Sequence, residues 1–156
     1  MTEMRGVKGD VRNPVGDGRK LILQCVNDIG RMGSGVALAI MKKWPKVRIE
    51  YIKWHKKDNF ELGNIQAIRV EKDIAVVNMI GQHDIRVLDG IPPIRYKAIE
   101  KCLTKVGDLA NKYGASIHAP RFGAGLAGGK WEIIEGMILA QLCAIDIPVT
   151  VYDWEE

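Results

Sequence analysis

The sequence predicts an α/β fold, a three-layer α/β/α arrangement with a mixed, mostly parallel sheet, and three observations lead there. Apolar runs of strand length alternate with stretches of helical periodicity along the whole chain. That is the pattern of βαβ units, which lay helices on both faces of a sheet. Two glycine-rich segments, residues 21–37 and 117–129, each join a strand-like run to an amphipathic one. With 156 residues, 47% of them hydrophobic and 27% charged, the chain can bury a core without a metal or a disulfide. A single domain over residues 1–156 is expected, since no repeat or low-complexity segment interrupts it.

The elements follow in order. Residues 3–8 read as a weakly apolar first strand, and 21–26 as a buried one because the apolar run is continuous. Ser34 opens a helix with Val36, Ala37 and Ile40 on one face. It must end by Trp44, since Pro45 follows and disfavours helical backbone before it. Val47, Tyr51 and Trp54 recur at helical spacing. Residues 65–70 and 74–80 read as strands with a turn near Glu71-Lys72-Asp73. Residues 81–92 are expected to be a polar loop, of a length that more often serves as a lid than as a connection. Ile99, Cys102, Leu103, Val106, Leu109, Ala110 and Tyr113 fit an amphipathic helix that Gly114 stops. A strand over 116–119, a helix over 131–143 and a strand over 149–152 complete the alternation.

Composition excludes several classes of function. The longest apolar runs are strand-sized, so no membrane span is expected, and no leader-like pattern opens the chain. A cytoplasmic protein is the corresponding expectation. Cys25, Cys102 and Cys143 are odd in number and form no CxxC pair, and the histidines lie far from them. They read as buried thiols, with no metal site and no cofactor. The net charge of +4 comes largely from Lys42, Lys43, Lys46, Arg48, Lys53, Lys56 and Lys57, interleaved with Trp44, Tyr51 and Trp54. The segment reads either as a nucleic-acid surface or as the solvated face of a helix whose aromatics point inward.

The glycine loops carry the chemistry. A glycine-rich loop entering a helix aims backbone N–H groups at one point, where the helix dipole adds about half a positive charge. Two such loops at the carboxyl ends of strands, where α/β folds bind ligands, suggest a diphosphate held from both sides. Gly123-x-Gly125-x-x-Gly128 matches a dinucleotide fingerprint, but only one strand follows it, and Pro120-Arg121-Phe122 separates it from the preceding strand. Gly129-Lys130 is followed by Trp131, which excludes a Walker A loop.

Together the motifs resemble the macrodomain, an ADP-ribose-binding module, in the family's own order. Gly9-Asp10-Val11 is similar to the segment whose Asp accepts from the adenine amino group, and Asn27 stands at the position of the distal-ribose Asn. Met32-Gly33-Ser34-Gly35-Val36 resembles the first phosphate loop. Pro120-Arg121-Phe122-Gly123-Ala124-Gly125-Leu126, with Trp131, resembles the loop that wraps the diphosphate and distal ribose, and Tyr152 falls near the adenine pocket. The Arg31-Met32-Gly33-x-Gly35 stretch points to the branch holding the ADP-ribose 1″-phosphate phosphatases and terminal ADP-ribose glycohydrolases. The resemblance implies binding of ADP-ribose or a derivative, with ADP-ribosylated protein or nucleic acid as further partners.

The chain departs from that branch where catalysis is concerned. Gly81 or Gln82 and Ala127 stand where the glycohydrolases carry Lys and Asp, and Gln24 where the phosphatases carry His. A lysine adduct is therefore not implied, and a substrate-assisted route is, in which the loops and Asn27 orient a water. Hydrolysis of ADP-ribose 1″-phosphate or removal of mono-ADP-ribose is the expected activity, with a non-catalytic reader and a nucleic-acid-binding domain as alternatives. Each residue also has a plainer reading: Asp10 as a turn cap, Asn27 as a local loop bond, Arg121 as a surface ion pair, His118 as a satisfied core histidine. His83 and Asp84 form a further candidate acid–base pair.

Overall fold

The computed structural model describes residues 2–32, 35–125 and 127–153. Its strands are β1 (Met4–Lys8), β2 (Lys20–Asn27), β3 (Ile65–Glu71), β4 (Ile74–Gln82), β5 (Ser116–Pro120) and β6 (Val149–Asp153). They form one sheet in the order β1-β6-β5-β2-β4-β3, parallel throughout except for β3 against β4. The helices are α1 (Gly35–Lys43), α2 (Pro45–His55), α3 (Tyr96–Tyr113) and α4 (Trp131–Gln141).

Alternation along the strands sorts the helices into two layers. Leu21 and Leu23 of β2, Val77 and Met79 of β4, and Ile117 of β5 pack with Ile99, Leu103 and Val106 of α3 and with Ile134 and Ile138 of α4. Ile22 and Val76 point the other way, onto Ile40 of α1 and Val47 of α2, while Val26 and Ile80 meet Tyr51 and Trp54 of α2. Burial of each such aliphatic side chain contributes about 1.5–3 kcal/mol. The three-layer arrangement is thus realised, with α1 and α2 on one face and α3 and α4 on the other.

The connections determine where a ligand can enter. The chain leaving β2 turns to α1 on one face, and the chain leaving its neighbour β5 turns to α4 on the other. Their paired register ends at Ile22↔His118, beyond which the strands part and open a crevice at their carboxyl ends.

Three boundaries differ from the sequence expectation. β4 runs on through Gln82: Arg95 N–H bonds to Gly81 O and Asp28 N–H to Gln82 O, which keeps the strand extended. The rest of the expected polar loop is a tight hairpin in which Leu88 and Ile91 exchange both main-chain bonds, and it exposes Ile85, Val87 and Ile91. Its turn, Asp89-Gly90, has φ of 52° and 76°, as a twist-matched two-residue turn requires. Finally, α4 ends at Gln141, and a 3₁₀ turn over Cys143–Ile145 tightens the exit toward β6.

The buried polar groups of β5 and β6 satisfy one another. Tyr152 Oη accepts the Val15 N–H at 2.9 Å and donates to His118 Nδ1 at 2.7 Å, and His118 Nε2 donates to Ser116 Oγ at 2.8 Å. His118 is therefore a satisfied core histidine. Burial, with Lys20 nearby, lowers its pKa to about 4. The unfolded chain binds the proton near pH 6.5, so the folded state loses ground as pH falls from 6.5 toward 4. Urea unfolding of wild type at pH 7 and pH 5 should show a loss of about 2 kcal/mol from this group. His118→Gln, which cannot titrate, should show a correspondingly shallower acid dependence; an equal slope in both would assign it elsewhere.

Candidate ligand-binding site

A cavity of about 780 Å³ fills the crevice between the ends of β2 and β5, within the range of small-molecule and cofactor sites. β2 supplies Gln24 to Asn27, and the loop after it Gly30, Arg31 and Met32. Gly35 and Val36 begin α1, Pro120 ends β5, and Arg121, Phe122, Gly123, Gly125 and Ala127 come from the loop after it. Arg48 reaches in from α2, Gln82 from the end of β4 and Ile85 from the hairpin. Of the ligand-binding residues that the resemblance assigns, Asn27, Met32, Gly35, Val36, Pro120, Arg121, Phe122, Gly123 and Gly125 line this cavity. Gly9, Asp10, Val11, Ala124 and Tyr152 do not border it, and Gly33, Ser34 and Leu126 lie outside the described residues.

Asn27 is bound into its own loop. Its Oδ1 accepts the N–H groups of Ile29 at 3.2 Å and Arg31 at 3.1 Å, and its Nδ2 donates to Arg31 O. Tyr51 of α2 reaches up from below: its hydroxyl donates to Asn27 O at 2.6 Å and lies 2.9 Å from Oδ1. The side chain is therefore a clamp that shapes the first loop, with one amide hydrogen left for a ligand. Asp10 is similarly engaged. Burial opposes its charge, yet the Arg12 guanidinium at 2.8–3.1 Å and the Arg12 N–H at 2.9 Å hold its carboxyl below the usual value.

The field in the cavity is positive. Arg31, Arg48 and Arg121 border it, and no carboxylate does among the described residues. Arg121 is held by Asp153, Nε to Oδ1 at 2.6 Å, whereas among the described residues no carboxylate pairs with Arg31 or Arg48. Arg48 stands three residues before Tyr51 on α2, on the same face, which is how a residue distant in sequence joins the first loop. Apolar periodicity reveals only the inward side of that helix, so the sequence marked Arg48 as one cation in a charge run. The aromatics of that run, Trp44, Tyr51 and Trp54, are buried, so they offer no stacking platform for bases.

Groups able to transfer protons are sparse. Cys25 borders the cavity, but burial pushes its thiol up to about 12. His83 and Asp84 are not brought together: His83 Nδ1 faces Asp28 Oδ2 at 2.7 Å, and Asp84 pairs with Arg86 at 3.2 Å. Asp28 Oδ1 also accepts the Asp84 N–H at 2.8 Å, so its carboxylate ties the end of β2 to the hairpin, and neither His83 nor Asp84 lines the cavity. Between Gly81 and Gln82, only Gln82 faces the cavity. A Cβ at Gly81 would stand 2.7 Å from Ile99 Cγ1 and 2.8 Å from Cys25 Sγ.

Comparison with known proteins follows the same lines. The Macro domain family model matches residues 24–138. The chain is 30% identical over 97% of its length to the mouse (Mus musculus) chromodomain-helicase-DNA-binding protein 1-like, of which it spans only 18%. It is 26% identical to a Candida albicans ADP-ribose 1″-phosphate phosphatase, with 85% of this chain and 89% of that protein covered. Among solved structures, a Bacteroides thetaiotaomicron protein superposes with a TM-score of 0.96 at 45% identity, covering 97% of this chain and 98% of the other. A Streptomyces coelicolor macrodomain protein superposes at 0.86 with 41% identity, covering 97% and 99%.

The glycines of the second loop divide by what surrounds them. A Cβ on Gly129 would collide with the main-chain oxygen of Gly123, while one on Gly125 would meet nothing within 4 Å. Gly129→Ala should cost roughly 1–3 kcal/mol, a fall of several degrees in Tm. Gly125→Ala should melt within about 2 °C of wild type. Equal melting of the two variants in a thermal denaturation series would contradict this division.

Proposed function

This chain belongs to the macrodomain family, and from that premise we propose that its cavity binds ADP-ribose and positions the distal ribose for hydrolysis. The observation that carries the reading is the crevice itself. Two glycine loops enter α1 and α4 from adjacent strand ends around a cavity that, among the described residues, is bordered by Arg31 and Arg48 and by no carboxylate. Backbone N–H groups and guanidiniums in a carboxylate-free pocket suit a diphosphate, which accepts from both. The remaining Asn27 amide hydrogen is available to a distal-ribose hydroxyl.

The substrate class is ADP-ribose 1″-phosphate or a mono-ADP-ribosyl ester, in keeping with the name of the Candida relative. No lysine, histidine or carboxylate borders the cavity among the described residues, and the Cys25 thiol stays protonated at neutral pH. The protein's part is then to orient a water against the anomeric carbon or its phosphate and to stabilise the developing charge, while the substrate's own oxygens carry the proton. The same scarcity of proton-transferring groups favours a second reading, a module that binds ADP-ribosylated targets without turnover.

Calorimetric titration with ADP-ribose should give a micromolar Kd, about −8 kcal/mol, with AMP and NAD at least about tenfold weaker. Gly125→Ala, which adds a methyl group at the cavity wall, should weaken ADP-ribose by roughly tenfold. Phosphate release from ADP-ribose 1″-phosphate, or release of ADP-ribose from an esterified peptide, should exceed the buffer control. Tight binding with neither reaction supports the reader, and the absence of any heat with ADP-ribose removes both readings.

A further inference from the structure

A row of amides, buried at Gln24 and Asn78 and half-buried at Gln66, crosses the sheet at the cavity. Gln24 of β2 lies opposite Asn78 of β4, and Asn78 lies opposite Gln66 of β3. Gln66 Nε2 donates to the main-chain oxygen of Glu50 on α2 at 2.9 Å, and Asn78 Nδ2 donates to Gln66 Oε1 at 3.1 Å. Gln24 Nε2 then donates to Asn78 Oδ1 at 2.5 Å. A main-chain oxygen can only accept, so Glu50 fixes the sense of the whole row. Turning over any one of the amides would set oxygen against oxygen or N–H against N–H.

The row therefore ends on an acceptor. Gln24 is only 3% exposed, and its Oε1 is the one buried side-chain polar atom without a hydrogen-bond partner among the described residues. Folded proteins pair such atoms almost without exception, with protein, water or ligand. Gln24 forms part of the cavity wall, and it lies on β2 just past Ile22↔His118, where β2 has parted from β5.

We propose that Gln24 Oε1, held in place by the Gln66–Asn78 amide row, is a hydroxyl-selecting acceptor of the binding site that takes the O–H of a ribose of the bound nucleotide. This rests on the ADP-ribose reading above and adds a rule of selection to it. A phosphate or carboxylate oxygen at this point would face another oxygen, so the position accepts a polyol and turns away an acid group. An amide keeps that character at every pH, unlike an imidazole in its place. Binding of a ligand without the matching hydroxyl leaves the acceptor buried and unpaired, which is the source of the discrimination.

The test is a cycle of variant against ligand. ADP-ribose and its analogues lacking one ribose hydroxyl at a time are titrated into wild type, Gln24→Met and Gln66→Met, with Tm recorded for each. Gln24→Met should weaken ADP-ribose by about tenfold, or about 1.4 kcal/mol. One deoxy analogue should lose a similar factor on wild type and nothing further on Gln24→Met. Gln66→Met, which frees Asn78 and Gln24 to turn over together, should lose part of the same discrimination, weakening ADP-ribose by about threefold with the same deoxy analogue affected. If Gln24→Met melts below the assay temperature, Gln24→Asn, which withdraws the oxygen by one methylene, carries the same expectation. Binding by the Gln24 variant within twofold of wild type would overturn the proposal, as would a loss equal for every analogue. Wild type that binds ADP-ribose while either of those outcomes holds leaves the functional reading standing. Wild type that gives no heat with ADP-ribose removes that reading, and the hydroxyl assignment with it.

Discussion

The site depends on one topological constraint: adjacent parallel strands β2 and β5 feed helices on opposite faces of the sheet. Two loops that leave in opposite directions cannot fill the space between them, so the strand ends separate and a crevice remains. Everything chemical in the molecule is arranged about that gap. The hydrophobic layers make it permanent, since Ile40 and Val47 fasten α1 and α2 to one face while Ile134 and Ile138 fasten α4 to the other. Moving either loop into the gap would mean unpacking a helix.

Within this frame, the first loop is shaped by side-chain hydrogen bonds and the second by steric exclusion. Asn27 bonds to Ile29 and Arg31 across its own turn, and Tyr51 braces it from α2. In the second loop Gly129 packs against the Gly123 carbonyl with no room for a methyl group, whereas Gly125 faces open space. Glycine thus serves two ends within seven residues: close backbone packing at one position and an unobstructed cavity wall at another. Both loops are rich in glycine, whose main chain a phosphate oxygen can approach closely.

Much of this was readable in the sequence, because the signals were local. The continuous run before Asn27, the Trp44-Pro45 stop and the Gly114 terminator each act on neighbouring residues, and the strands and helices follow them closely. The glycine loops were readable for the same reason. What the sequence did not reveal arises from long-range pairing. Arg48 joins the cavity only because α2 packs beneath Asn27. His83 finds Asp28, 55 residues away, in preference to its neighbour Asp84. Gly81 looked as suitable as Gln82 for the position facing the ligand until Ile99 and Cys25 closed over it. Gln24 stood out as an exception to a family pattern, but its meaning required the registers that align it with Asn78 and Gln66.

The choice of amides in the wall also bears on what the site can do. A carboxylate at position 24 or 82 would bring a negative charge close to a bound diphosphate, and in a partly buried pocket it would be driven to take up a proton. Such a group could transfer protons, at the expense of the positive field that holds the ligand. Amides avoid the conflict: they donate and accept without charge, and a row anchored on a main-chain oxygen presents a fixed polarity. Among the described residues no carboxylate of the lining competes with a bound anion for Arg31 and Arg48. Among the described residues the lining thus combines uncharged amides with arginines, a chemistry that suits a neutral polyol joined to an anionic diphosphate.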